Sequence, residues 1–258
     1  MGSAQDQAKV WAQGAEVWAN KFEPHFVPLW HQMLTMSGVT KGVKFFDAGC
    51  GSGGASVIAE QRGAQVAGLD ATPQLISIAQ KRLPHAPFVV GDLEEMPHED
   101  GSFDVVFAAN SVQFTYDPAQ ALSEIKRLLG PHGKAIVAVF TDIERNNMGT
   151  FIKAIGGLLP QPPKVGPFAL GKPGLLEAAI EKSGLKVVRD VEVPCDFVYP
   201  DVEDFWETFS SAGPVQAAMA NVGEEKTRQT AIESVQPFVR PNGSLHLKNI
   251  SHVVTLEA

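Results

Sequence analysis

The sequence predicts an α/β fold: a doubly wound, mostly parallel sheet covered by helices on both faces. Three observations predict it. Short, nearly all-apolar runs alternate with helical stretches between residues 43 and 140, the wiring of repeated βα units. The helical stretches open on cap-plus-proline pairs, Thr72-Pro73 and Asp117-Pro118, and close at glycines, Gly63 and Gly130. The first strand runs into the glycine-rich turn Gly49-Cys50-Gly51-Ser52-Gly53-Gly54, where the backbone can take positive φ and approach a ligand closely.

Residues 8–36 read as helical, with Trp11, Ala15, Trp18 and Phe22 on one face. Pro24 and Pro28 interrupt them, and a second apolar set follows in Phe26, Leu29, Trp30, Met33 and Leu34. Strands are expected at 43–47, 65–70, 87–91, 103–109 and 133–140, with helices near 53–62, 73–82 and 118–129. The rhythm breaks after Phe140. Residues 141–171 are rich in Gly and Pro and read as loop with one short helix near 148–158. A helix at about 173–183, a strand at 185–193, helices from 202 to about 236 and a final strand at 246–256 complete the chain. Neither repeats nor linkers divide it. The expectation is one domain over 1–258: a helical cap at 1–40, a cofactor-binding core at 41–141, and completion of the sheet at 142–258 with lid insertions at about 142–172 and 200–238.

With 44% hydrophobic residues in 258, the chain can bury a large core. A net charge of −8 and no dense Lys/Arg cluster argue against a nucleic-acid substrate. Cys50 and Cys195 form neither a disulfide framework nor metal-ligand spacing, so no metal is expected. The sequence shows no signal-peptide pattern and no apolar run of about 20 residues. A cytoplasmic, non-membrane protein, monomeric or homodimeric, acting on a small molecule is expected.

The turn fits two patterns. Gly49, Gly51 and Gly54 make the dinucleotide fingerprint, while Asp47, Gly49, Gly51 and Gly53 make an acid-led one. Asp70 follows at the end of the second strand, where an acid accepts from a ribose diol in either case. Three features outside the glycines choose. Asp47 would repel a pyrophosphate and attract an ammonium group. Asp92 and Leu93 suit an adenine edge and ring face. Asn110-Ser111-Val112-Gln113 places a polar run at the end of the fourth strand, where open α/β sheets bind ligands.

The ordered set Phe46-Asp47-Ala48-Gly49-Cys50-Gly51-Ser52-Gly53, Gly68-Leu69-Asp70, Gly91-Asp92-Leu93-Glu94-Glu95-Met96-Pro97, Phe103-Asp104-Val105-Val106 and Leu128-Leu129-Gly130-Pro131-His132-Gly133-Lys134 resembles the class I S-adenosylmethionine-dependent methyltransferases. The similar branch is the small-molecule one, which includes ubiquinone and menaquinone biosynthesis enzymes and natural-product tailoring enzymes. The match covers residues 40–141 closely. The resemblance implies a Rossmann-like methyltransferase fold of seven strands with the last antiparallel. It implies S-adenosylmethionine as methyl donor and S-adenosylhomocysteine as product. Gly49, Gly51, Gly53 and the neighbourhood of Asp47 would hold the methionine moiety. Asp70 would hold the ribose, with Ala71 beside the adenine. Asp92 and Leu93 would clasp the adenine, and Asn110 would line the methionine side near the transferred methyl. Methyl transfer to O is favoured, with N or C as the other acceptor atoms. The alternatives are a protein of the same fold that uses S-adenosylmethionine for another reaction, or a nicotinamide-dependent oxidoreductase.

Methyl transfer needs alignment and exclusion of water, and a general base is optional. Related enzymes often carry a histidine after the fourth strand, where this chain reads Gln113-Phe114-Thr115-Tyr116. His25 and Tyr116 are the candidate bases. Trp11, Trp18, Phe22, Trp30, Phe205, Trp206 and Phe209 are expected to line the pocket of an apolar, ring-containing acceptor.

Overall fold

The computed structural model describes residues 2–161, 163 and 165–258. A seven-stranded sheet forms its centre, built from β1 (Lys44–Ala48), β2 (Gln65–Asp70), β3 (Phe88–Val90), β4 (Phe103–Ala109), β5 (Leu129–Phe140), β6 (Lys186–Pro194) and β9 (Ile250–Glu257). The order is β3-β2-β1-β4-β5-β9-β6. Neighbours from β3 to β5 are parallel, and β9 runs antiparallel to both β5 and β6. The chain leaves β1 toward one edge and returns at β4 toward the other. The crevice between their carboxyl ends is therefore the topological switch point, the ligand-binding place of such sheets.

Alternation along the strands sorts two cores. Phe46, Ala48, Val106, Ala108 and Val137 face one, with helices α6 (Pro118–Leu128) and α8 (Leu175–Ser183) on it. Phe45, Phe107, Ile136 and Phe140 face the other, with α4 (Gly54–Gln61), α5 (Pro73–Arg82) and the N-terminal segment. Asp47 alternates with Phe46, so its carboxyl falls on the side of the N-terminal segment and not in the apolar core behind.

That segment is a chain of short helices: α1 (Ala4–Ala12), α2 (Ala15–Val17), a π-helical turn at Trp18–Phe22, a 3-10 turn at Glu23–Phe26 and α3 (Val27–Met36). Pro24 and Pro28 lack the N–H groups a continuous helix would use, and the breaks fall around them. The later helices α7 (Met148–Gly156), α9 (Val202–Ser210), α10 (Gly213–Val222) and α11 (Glu224–Val235) pack beside it. α9 ends at Ser210, before Gly213-Pro214, and that pair begins α10 with proline at a first-turn position.

The expected final strand is divided. Leu245–Leu247, β8, pairs antiparallel with β7 (Phe197–Tyr199), and only Ile250–Glu257 joins the main sheet. Asn249 makes the break: its backbone carbonyl accepts from Cys195 N and its side-chain carbonyl accepts from Met148 N at 3.0 Å. A two-residue-period pattern runs through both pieces, so alternation alone does not show the join. Among the described residues no helix is long and apolar enough to cross a membrane, and no metal-ligating cluster forms.

Candidate functional site

The site is built on the turn between β1 and α4. Gly49, Gly51 and Gly53 all have positive φ, at 84°, 54° and 81°. Gly49 is further constrained by space, since a Cβ there would lie 2.3 Å from Ser111 Cβ. Ser111, just past β4, donates to the Ala48 carbonyl at 2.7 Å. The two strand ends of the switch point are thereby clamped together through the glycine. Gly49 N and Cys50 N both donate to the Leu69 carbonyl, tying the turn to β2.

Three carboxyl groups surround this turn. Asp47 is 2% exposed and accepts from Ser56 Oγ at 2.7 Å. Burial pushes it up to about 7, against the opposing pull of the Ser56 hydrogen bonds, and the Glu23 and Asp70 charges push the same way. Asp70 accepts from Gly51 N at 3.0 Å and Thr72 N at 2.9 Å, and burial raises it as well. Each oxygen keeps a further lone pair for a ligand hydroxyl. The third acid, Glu23, comes from the N-terminal segment and is 4% exposed. It accepts from Ser52 Oγ at 2.5 Å and from Arg82 at 2.6 Å. Arg82 also donates to Ser52 Oγ and to the carbonyls of Ser52 and Ala19. This network joins the N-terminal segment, the turn and α5. Its members are 29 to 59 residues apart, so no local pattern announces Glu23, Ser52 or Arg82.

At the end of β4, Asn110 sits at φ 55°, the one described non-glycine residue with positive φ. Both of its buried side-chain polar atoms lack a protein partner. So do both of Gln113, which is fully buried, and the indole nitrogen of Trp18. A non-glycine residue in the left-handed region and a group of buried, unpaired polar atoms are costly features that mark functional positions. The sequence motif pointed to Asn110. Gln113 has only its place in the polar run after β4 to signal it.

On the β3 side, Asp92 accepts from Glu94 N at 3.0 Å. The N-terminal strap passes over it, so that a Cβ on Gly2 would lie 2.1 Å from Asp92 Oδ2. Ser3 N and Tyr116 N both donate to Glu94 Oε1. Leu93 and Ala71 are half-buried beside these acids. The Tyr116 hydroxyl donates to Asp6 at 2.7 Å, and that bond raises its pKa. Its geometry suits a tie between α1 and the loop after β4 better than proton abstraction. His25 lies against Phe197 and Tyr199, and burial pushes its imidazole down to about 4.

The expected pocket aromatics are brought together in part. Trp11, Trp18 and Phe22 form edge contacts, with centroids 5.0 and 4.9 Å apart, and Phe22 meets Phe209 at 5.0 Å. Phe205 meets Phe209 in a tilted contact at 4.9 Å, and Trp30 stacks on Phe26 at 6.0 Å. These rings pack on one another between the N-terminal segment and α9. Trp206 faces a separate depression of about 560 Å³ with Ser210, Gln216 and Met219.

A glycine turn at the switch point, led by a buried acid and followed by acids at the next two strand ends, is an arrangement with the charge and shape to hold a cationic, adenosine-type ligand. Residues 46–137 match the protein family described as "Methyltransferase domain", a stretch that holds the turn, Asp70, Asp92, Asn110 and Gln113. Over 126 residues the chain is 29% identical to a malonyl-[acyl-carrier protein] O-methyltransferase of Serratia marcescens, covering 49% of each. Over 95 residues it is 39% identical to a demethylmenaquinone methyltransferase of Chlorobaculum tepidum, covering 36% of this chain and 39% of the relative. The chain thus spans half or less of these curated relatives. In fold it is similar to a candidate methyltransferase from Bacillus halodurans (TM-score 0.61, 14% identity, 88% of this chain and 97% of the other). It is similar also to the geranyl diphosphate C-methyltransferase of Streptomyces coelicolor, solved with S-adenosylhomocysteine (TM-score 0.54, 16% identity, 89% and 78%). Residues 46–137 thus carry a methyltransferase domain, on a fold that these solved structures share.

Proposed function

We propose that this protein transfers a methyl group from S-adenosylmethionine to a small apolar or aromatic acceptor, with oxygen the favoured acceptor atom. The observation that carries the reading is the ring of three acids, Glu23 and Asp47 buried and Asp70 half-buried, about a left-handed glycine turn at the switch point. Like charges held together away from water await a cation. A pyrophosphate would meet Glu23 at the start of α4, where a Cβ on Gly54 would lie 2.9 Å from its carboxylate. The chain has filled the anion position of a dinucleotide turn with its own acid.

The residues fit the cofactor. Asp47 and Glu23 match its ammonium group, Asp70 its ribose hydroxyls, Asp92, Leu93 and Ala71 its adenine, and Asn110 the methionine side. Gly49, Gly51 and Gly53 let the backbone come close. The cofactor supplies an electrophilic methyl on a sulfonium; the protein orients it and excludes water. The aromatic cluster of Trp11, Trp18, Phe22, Trp30, Phe205 and Phe209 supports an apolar ring-containing acceptor, reached by movement of the segment that covers the turn. A neutral His25 among aromatic rings suits acceptor contact more than proton storage. The O-methyltransferase named among the relatives supports oxygen. Calorimetry with S-adenosylmethionine, S-adenosylhomocysteine and NAD tests the cofactor. Incubation with a panel of phenols, amines and polyketide-like compounds, read by mass for gain of one methyl, tests the reaction. Binding of NAD alone, or turnover confined to highly charged acceptors, defeats the reading.

A further inference from the structure

We propose that the indole N–H of Trp18 receives the carboxylate of the cofactor's methionine moiety. The proposal rests on the reading that this turn holds S-adenosylmethionine, and it moves Trp18 from the acceptor pocket to the cofactor.

An amino-acid moiety brings an ammonium and a carboxylate to the same place. The acids around the turn serve the first and repel the second. Donors are therefore what the site must supply, and most of those nearby are already engaged. The backbone N–H groups of Gly49 and Cys50 go to Leu69, that of Gly51 to Asp70, and that of Gly53 to Cys50. Ser52 Oγ donates to Glu23. Arg82, the cation joined to this network, directs Nη1 to Glu23 and Ser52 and Nη2 to the Ala19 carbonyl.

Trp18 is different. Its ring nitrogen is sealed from solvent and has no partner among the described residues. It faces the turn: a Cβ on Gly51 would lie 3.4 Å from it. The ring is fixed by Trp11 at 5.0 Å, Phe22 at 4.9 Å and Phe26 at 5.9 Å. Its backbone begins the π-helical turn, a local widening common at functional sites. A buried donor held rigidly, unpaired, and aimed at a ligand-binding turn loses free energy until a ligand acceptor arrives.

The test is calorimetry on the full chain, wild type against Trp18→Phe, with two probes. S-adenosylhomocysteine carries the carboxylate; decarboxylated S-adenosylmethionine keeps the ammonium and adenosine but lacks it. The expected result is an affinity for S-adenosylhomocysteine about 10- to 100-fold weaker in the variant, the range of a hydrogen bond to a charged group. The decarboxylated probe should bind both proteins within about twofold. Equal losses for both probes overturn the proposal by reducing Trp18 to packing. Tighter S-adenosylhomocysteine binding in the variant overturns it by showing that the ring occupies the site. Wild-type protein that binds neither probe refutes the underlying cofactor reading. If the variant does not fold, the four tryptophan indole N–H resonances of the wild type decide. One must shift downfield with S-adenosylhomocysteine and stay in place with the decarboxylated probe; four that respond alike to both overturn the assignment.

Discussion

Replacing Asp47 by asparagine should stabilise the unliganded protein and weaken its cofactor site. The Asp47 carboxyl ordinarily titrates near 3.8 and is pushed up to about 7 by burial. At about 1.4 kcal/mol per pH unit, keeping it ionised in the fold costs about 4 kcal/mol at alkaline pH. The folded-state value is the higher one. The penalty is therefore absent below 3.8, accumulates as pH rises from there to about 7, and is constant above it. Asparagine keeps the acceptor for Ser56 Oγ and carries no charge. The stability gap in favour of Asp47→Asn should widen by about 3 kcal/mol between about pH 5 and about pH 8. In thermal unfolding this is a midpoint gap that grows by roughly 8 °C. Calorimetry at the alkaline end should show S-adenosylhomocysteine binding about tenfold or more weaker in the variant, because the ammonium has lost a buried partner. A stability gap that stays flat with pH refutes the burial reasoning. Unchanged cofactor affinity refutes the pairing.

Further expectations follow from the same geometry. Arg82→Met leaves Glu23 buried without its cation and should cost about 2–3 kcal/mol in denaturant midpoint, mostly restored by adding Glu23→Gln. Gly49→Ala combines a positive φ with a clash on Ser111 and should lose about 3 kcal/mol or fail to fold in expression and circular dichroism. Tyr116→Phe removes a partly exposed bond to Asp6; turnover should stay within about twofold, and a loss of about 100-fold would restore Tyr116 as a base. With His25 held down to about 4, kcat/KM should show no ascending limb between about pH 6 and about pH 7 from this residue, and such a limb that vanishes in His25→Ala would contradict its assignment.

The core of the fold was written locally. Apolar runs of strand length, the Thr72-Pro73 and Asp117-Pro118 starts and the glycine stops placed β2, β4 and α5 at the residues where they lie. Local signals suffice there because each strand is buried on both faces and each helix covers one of them. The chain after Phe140 was harder. The division of the last strand depends on Asn249 meeting Met148 about 100 residues earlier in sequence, and β7 is three residues long and exists through its pairing with β8. The site divides the same way. Asp47, Asp70, Asp92 and Asn110 are legible as candidates because each lies at or just past the carboxyl end of a strand, where sequence position implies place. Glu23 and Arg82 were not, since nothing in their neighbours in sequence reveals what they face, and Gln113 had only its place in the polar run after β4.

By itself the sequence determined that a sheet of this kind would form and that its turn would carry an acid before the glycines. Spacing suffices for that, because strand ends and turn residues are fixed relative to one another by backbone geometry. Only the tertiary structure decided that the N-terminal segment closes on the turn. It brings Glu23 to the head of α4 and the unpaired nitrogen of Trp18 over Gly51. That placement comes from aromatic packing and an ion-pair network between elements distant in the chain, and such contacts exist only once the chain has folded.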